Sequence, residues 1–196
     1  MLRCYGTLMK IDQASGWLEG VRRVVSPNCD ERPPGTPIDL LVVHGISLPP
    51  GEFGGPWIEA LFTNTLDATA HPYFEEIKDM RVSAHAVIRR TGEIVQYVPF
   101  QQRAWHAGQS CFDGHERCND FSIGIEMEGC DDQPYTEAQY IALAATARAI
   151  MAAYPAITLP RIVGHSDIAP GRKTDPGVAF VWQRFHVALL NPAEQD

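Results

Sequence analysis

The stretch IDLLVVHGISLPPGEFGGPW, residues 38–57, decides how the chain is read. IDLLVV (38–43) is a short, β-branched apolar run of the kind found in strands buried on both faces, and it ends at His44. GISLPPGEFGGP (45–56) is a loop rich in glycine and proline. A helix is predicted from near Pro56, because proline suits the first helical turn. Ile58, Leu61, Phe62 and Leu66 then share one face. A buried strand, a shaped loop and an amphipathic helix in succession point to an α/β protein with its chemistry at the strand end.

The rest of the chain extends this pattern. VSAHAVI (82–88) and EIVQYV (93–98) flank RRTG and read as a hairpin. FSIGIEM (121–127) is another strand. Thr136 with Gln139 forms a capping box for a helix to about residue 153, with Leu143, Ala147, Ile150 and Tyr154 on one face. RIVG (161–164) is a short strand leading to His165. A last helix is predicted near 178–190, with Val178, Val181, Trp182, Phe185 and Leu189 facing inward. The expected fold is α/β, a single domain with one sheet and helices packed on it.

Composition narrows the function. The 196 residues carry 16 basic and 24 acidic side chains, a formal net charge of −8, which argues against a nucleic-acid binder needing a basic face. The apolar share of 45% and charged share of 20% are those of a globular chain. Five cysteines at 4, 29, 111, 118 and 130, with no CxxC, fit neither a disulfide framework nor a Cys-rich zinc finger, and read as reduced, mostly buried thiols. Arg3, Lys10 and Asp12 interrupt the N-terminal segment before any secretory apolar core. IALAATARAIMAAY (141–154), the longest mostly apolar stretch, contains Arg148 and is too short to span a bilayer. A cytoplasmic protein with no membrane partner is the expectation.

Three residues at strand ends and in loops carry candidate chemistry: His44, His165 and, ten residues later, Asp175. Two imidazoles and a carboxylate give zinc three N/O ligands and leave the fourth tetrahedral position for water. Zinc lowers the pKa of that water to about 7. The spacing alone does not establish a metal site. There is no HExxH helix, a strand-end histidine is more often structural, and Asp175 before Pro176 and Gly177 reads equally as a turn.

In FSIGIEME, Ser122, Gly124, Glu126 and Glu128 point one way and Ile123, Ile125 and Met127 the other. Either glutamate suits a general base or acid, and alternation does not choose between them. Lys173, two residues before Asp175, is placed to stabilise an oxyanion if Asp175 binds metal, or is an ordinary surface lysine.

Five stretches together resemble the amidase-2 family, and within it the AmpD-type branch of cytoplasmic 1,6-anhydro-N-acetylmuramyl-L-alanine amidases. They are LLVVHGISLPPGEFGGPWIEALF, HPYFEEIKDMRVSAHAVIRRTGEIVQYVPF, RAWHAG, ERCNDFSIGIEMEG and GHSDIAPGRKTDPG. They match in order and spacing over nearly the whole chain, which implies one amidase domain over 1–196 with its core at about 16–190. The resemblance implies a central mixed β-sheet with helices on its faces and a zinc site in a groove. It implies Zn2+ held by His44, His165 and Asp175, with Glu126 as the catalytic carboxylate and Lys173 assisting the transition state. It also implies that Arg81, Trp105 and Arg117 line the groove for an anhydro-muropeptide substrate, in a monomer.

Two positions depart from the family pattern. Many amidase-2 proteins carry tyrosine before the histidine of the xxHxxI strand; here Ala84 precedes His85, as in AmpD-type members, and the resemblance assigns the role to Glu126. Gly45 stands where AmpD-type proteins generally have asparagine, which removes a side-chain donor.

The remaining histidines are read modestly. His85 is structural or supports the site, His106 either edges the groove or holds its loop, His71 and His115 are loop residues, and His186 is peripheral. Three other functions compete with a recycling amidase. A muropeptide-binding module is disfavoured because all ligand positions and Glu126 are present. An amidase on intact wall is disfavoured by the absence of a signal peptide and wall-binding segment. An interaction protein with a vestigial site is separated by a zinc assay.

Overall fold

The computed structural model describes residues 9–191. Six strands form the main sheet: β1 (Arg22–Arg23), β2 (Leu40–Ile46), β3 (Ala86–Ile88), β4 (Ile94–Gln96), β5 (Ser122–Glu128) and β6 (Ile162–Gly164). Their order across the sheet is β6-β2-β5-β3-β4-β1. The β3–β4 pair is antiparallel and every other pair is parallel, so the sheet is mixed, as expected. Small two-stranded ribbons lie outside it, among them Cys29–Asp30 with Arg103–Ala104.

The strands follow from their side chains. On β5, Ile123, Ile125 and Met127 enter a core with Leu41 and Val43 of β2. Helices α3 (Glu137–Ala153) and α5 (Trp182–Leu190) close that face with Leu143, Ala147, Ile150, Phe185 and Leu189. Each of the leucine, isoleucine and phenylalanine side chains contributes roughly 1.5–3 kcal/mol when fully buried. The Thr136 capping box forms as predicted, with the Thr136 hydroxyl accepting from the Gln139 N–H and Gln139 reaching back to the Thr136 N–H. On the other face, Val87, Val95 and Tyr97 pack under α1 (Trp57–Phe62) and α2 (Pro72–Ile77). The RRTG turn closes the β3–β4 hairpin, with Gly92 at φ +82 in the left-handed region that favours glycine.

Several expectations are corrected. β2 runs through His44 to Ile46, because Glu126 to Glu128 of β5 pair with residues 44 to 46. Helix α1 stops at Phe62, so Leu66 packs from the following loop. His165 opens the short helix α4 (His165–Ile168). The last helix begins only at Trp182, so Val178, 94% exposed, and Val181 stand outside the core while Phe185 and Leu189 are buried. Of the described cysteines, Cys118 alone is fully buried, and all four are free thiols; Cys4 lies outside the described residues. No helix among the described residues is long and apolar enough to cross a membrane.

Candidate active site

Parallel pairing sets the site. His44 of β2 and Glu126 of β5 are register partners, so both project side by side from the face opposite the α3–α5 core. β6, on the other flank of β2, leads directly into His165, and the loop after α4 returns to bring Asp175 beside it. The Ser166 N–H donates to the Asp175 carbonyl at 3.0 Å, which ties the loop to the helix.

The three candidate ligands converge. His44 Nδ1 lies 3.0 Å from His165 Nδ1 and 3.2 Å from Asp175 Oδ2, and His165 Nδ1 lies 3.0 Å from the same oxygen. Bonds of about 2.0–2.1 Å to a tetrahedral zinc imply ligand separations of about 3.3–3.4 Å, so the residues present fit such an ion. The outer ring nitrogens are also occupied. His165 Nε2 donates to the Ala107 carbonyl at 3.1 Å. His44 Nε2 meets His106 Nδ1 at 2.9 Å, and His106 Nε2 meets the Ser122 hydroxyl at 3.2 Å. If the Nδ1 lone pairs face the ion, each Nε2 carries a proton, and this hydrogen-bond chain satisfies both tautomers.

His106 therefore holds His44, one of the three candidate ligands, the question its sequence position left open. Its loop is anchored by Asn119, whose Oδ1 accepts the N–H groups of His106 and Ala107. Gly124 leaves room for its ring, since a Cβ there would collide with the imidazole.

Burial shapes the electrostatics. It lowers the His44 imidazole to about 4, against the opposing hydrogen bond from Asp175, and it drives His106 well below the usual range. Burial pushes the Asp175 carboxyl up, but hydrogen bonds and charge from His165 and His44 outweigh it and hold the group below the ordinary carboxylate range. Glu126 goes the other way. Burial, then the neighbouring Asp175 charge, raises its carboxyl well above the usual value, and Lys173 offsets part of this. Its Oε2 is buried without a hydrogen-bond partner.

Glu128, on the same face, is instead saturated. Its carboxylate takes Arg89 at 3.0 Å, the Gly54 N–H at 2.7 Å and the Arg90 N–H at 3.0 Å. It pins the glycine-rich loop to the sheet. The choice that alternation left open is thus one of partners: Glu126 is the free carboxylate beside the cluster.

The other predicted residues are spread around this centre. Lys173 is exposed, and its charge acts on both Glu126 and His44. Trp105 Nε1 donates to Asp30 at 3.2 Å; Arg103 bridges Asp30 to Asp120, which pairs with Arg117 at 3.3 Å. Arg117 is 70% exposed and lines a cavity of about 380 Å³ with Ile168, Ala169 and Arg172. Arg172 borders the cluster, donating to Ala107 and Gln109 carbonyls. Arg81 is exposed and donates to the Lys78 and Met80 carbonyls of its own segment.

His85, left open between a structural and a supporting role, is tied into the sheet beside the site. It is buried, accepts the Gly124 N–H at Nδ1, and is lowered to about 3 by burial and the nearby Arg32 charge. Arg32 was missed. Its half-buried guanidinium donates to the Asn119, Asp120, Phe100 and Ser122 carbonyls, locking the site loops to β5. An arginine in a Pro-rich lead-in carries no periodicity that could have shown this.

The family model described as N-acetylmuramoyl-L-alanine amidase, Amidase_2, matches residues 34–178. The chain belongs to the amidase-2 family. This amidase-2 chain is 65% identical over 174 residues to the 1,6-anhydro-N-acetylmuramyl-L-alanine amidase AmpD of Escherichia coli (strain K12), covering 89% of this chain and 94% of that protein. It is similar to a crystal structure of a selenomethionine AmpD derivative, with a TM-score of 0.89, 61% identity and coverage of 92% and 99% of the two chains. Escherichia coli AmiD, in complex with anhydro-N-acetylmuramic acid-L-Ala-D-γ-Glu-L-Lys, aligns at 30% identity with a TM-score of 0.57, over 92% of this chain and 65% of that one. The AmpD-type resemblance and the mixed-sheet amidase-2 fold are both borne out.

Proposed function

We propose that this amidase-2 protein is a zinc-dependent hydrolase of the amide between the lactyl group of 1,6-anhydro-N-acetylmuramic acid and L-alanine, acting in cytoplasmic muropeptide recycling. One observation carries the reading: a His44–His165–Asp175 triangle of ligand size beside a buried carboxylate oxygen of Glu126 that has no partner. Buried polar atoms are nearly always paired, so an unpaired carboxylate oxygen beside the candidate ligands is free to act on a group that enters the site. The named activity of the AmpD relative and the substrate in the AmiD complex support the same chemistry. The domain we propose is one amidase unit over 1–196, with its core at about 16–190, working as a monomer without nucleic-acid or membrane partners.

His44, His165 and Asp175 would hold the zinc, which when bound supplies a water of lowered pKa and polarises the scissile carbonyl. Glu126 takes the proton of the attacking water and delivers it to the departing alanine nitrogen. One carboxyl does both, and its raised pKa favours the protonated form that the second transfer needs. Lys173 offers a cation to the developing oxyanion, a contact worth about 3 kcal/mol or more. Arg81, Trp105 and Arg117 bind the substrate. The stem peptide is anionic while the chain is at −8, so local guanidinium forks must attract it.

The test is hydrolysis of a synthetic anhydro-muramyl tripeptide, followed by mass spectrometry beside its non-anhydro counterpart, with chelator and zinc add-back. Tripeptide release lost to chelator and restored by zinc is expected for the anhydro substrate. Equal cleavage of both would shift the substrate towards the wall. No cleavage by zinc-loaded protein would overturn the amidase reading in favour of a binding module.

A further inference from the structure

Two neighbouring residues, His106 and Ala107, supply the outer partners of both histidines in the cluster. The His106 ring meets His44 Nε2 at 2.9 Å, and the Ala107 carbonyl accepts His165 Nε2 at 3.1 Å. The third candidate ligand reaches the same dipeptide through its loop. Arg172, three residues before Asp175, donates to the Ala107 carbonyl at 2.7 Å and lies 3.5 Å from His165 Nε2.

The dipeptide is itself held at one point. Its two N–H groups converge on a single oxygen, Oδ1 of the half-buried Asn119, at 3.1 and 2.8 Å. Two donors on one atom also fix which end of the Asn119 amide faces the loop. The amide oxygen has two lone pairs to accept with, and the NH2 end has none. Asn119 is anchored in turn. It sits in the short 3-10 turn Cys118–Asp120 just before β5, and Arg32 Nη1 donates to its carbonyl at 3.0 Å. On its other side the Cys118 N–H donates to the Ser110 hydroxyl at 3.1 Å. Asn119 therefore closes the neck of the loop that begins at His106. It fixes the backbone from which the His106 ring and the Ala107 carbonyl project.

We propose that Asn119 is a positioning residue for the whole cluster, holding His44 and His165 at once through residues 106 and 107. The inference rests on the reading of His44, His165 and Asp175 as metal ligands. The two histidines are then coupled, because loosening one amide oxygen releases the outer partner of each. Outer partners that orient a ligand typically change metal affinity about 10–100-fold when altered. With two of them on one clamp, the loss of Asn119 Oδ1 contains the loss of His106 rather than adding to it.

The test is zinc affinity of the full chain, measured by competition with a chromophoric chelator, together with the thermal midpoint of each metal-free protein. His106→Ala removes one outer partner and is expected to weaken zinc binding about tenfold. Asn119→Ala releases both and is expected to weaken it about 100-fold. The double variant His106→Ala/Asn119→Ala should stay at about 100-fold, since its two changes share one arm. A double variant weakened about 1,000-fold would make the two residues independent and overturn the proposal. An Asn119→Ala no weaker than His106→Ala would overturn it too. Asn119→Asp keeps an accepting oxygen and should bind zinc close to wild type; affinity as low as that of Asn119→Ala would count against the clamp. If Asn119→Ala does not fold, ring-nitrogen NMR of the zinc-loaded wild type decides. His44 and His165 should both carry their proton on Nε2, and metal on Nε2 of either ring would overturn the proposal. A wild-type chain that binds no zinc would defeat the metal reading itself, an outcome distinct from a wild type that binds and variants that do not differ from it.

Discussion

Glu126 and Glu128 stand two residues apart on one face of one strand, and their surroundings are opposite. Glu128 is a buried carboxylate with an arginine and two backbone N–H groups on it, at one with the sheet and the glycine-rich loop. Glu126 is also buried, though less deeply, yet one oxygen has no partner and the charge that acts on it most strongly is that of another carboxylate, Asp175. Burying an unpaired polar group costs free energy, so a fold tolerates it where something else is gained. The pair shows how structure and function separate within a single strand: saturation marks the residue that holds the fold, and want of partners marks the one available to a reaction.

The contrast can be broken at several points. Asp175→Ala removes one of the three proposed ligands, and zinc and activity should vanish together. Metal analysis of the purified variant checks this, and stoichiometric zinc would exclude Asp175 as a ligand. Exchanging the two glutamates for glutamine tests the comparison directly. Glu126→Gln should keep zinc while turnover falls by about 10²–10⁴-fold, as expected for loss of a general base and acid. Glu128→Gln should instead lower stability by about 3 kcal/mol or more, because Arg89 is left buried without its counter-charge. Denaturant unfolding beside turnover would show whether the two effects separate; equal stability loss in both variants would erase the distinction.

A pH series sharpens it further. Burial raises the Glu126 carboxyl above its ordinary 4.5, so the metal-free folded state holds a proton that the unfolded chain has released. That contribution to stability is complete below pH 4.5 and fades as pH rises through the raised folded value. Glu126→Gln should therefore match the metal-free wild type near pH 4 and become the more stable of the two at neutral pH, read by thermal melts at both. His106→Ala takes away the partner of His44 Nε2 and should weaken zinc binding about 10–100-fold without abolishing it. The smallest effect is expected at the rim: Arg117→Ala should raise KM more than it lowers kcat, and an unchanged KM in steady-state kinetics would remove Arg117 from substrate binding.

Periodicity carried most of the fold. The β5 alternation, the β3–β4 hairpin with its left-handed Gly92 and the Thr136 capping box are all local patterns, and local patterns survive packing. Where the reading failed, a distant partner had overruled it. The predicted inward face of the last helix put Val178 and Val181 in the core, but the chain turns there and helix α5 starts later. β2 was expected to stop at His44 and instead runs on, because β5 offers it ladder partners to Ile46.

By itself the sequence determined the longer strands and helices, the acidic balance and the residue types from which a site could be made, since these depend on neighbours along the chain; β1 and the short helices α2 and α4 were not among them. Tertiary structure alone decided which of them meet. It brought His44, His165 and Asp175 to within 3.0–3.2 Å of one another across up to 131 positions of sequence. It turned His106 from a loop residue into the partner of His44 and gave Arg32 four carbonyls to hold. The physical reason is the same each time: partners that satisfy or leave open a buried polar group come from strand pairing and loop return, which no spacing along the chain encodes.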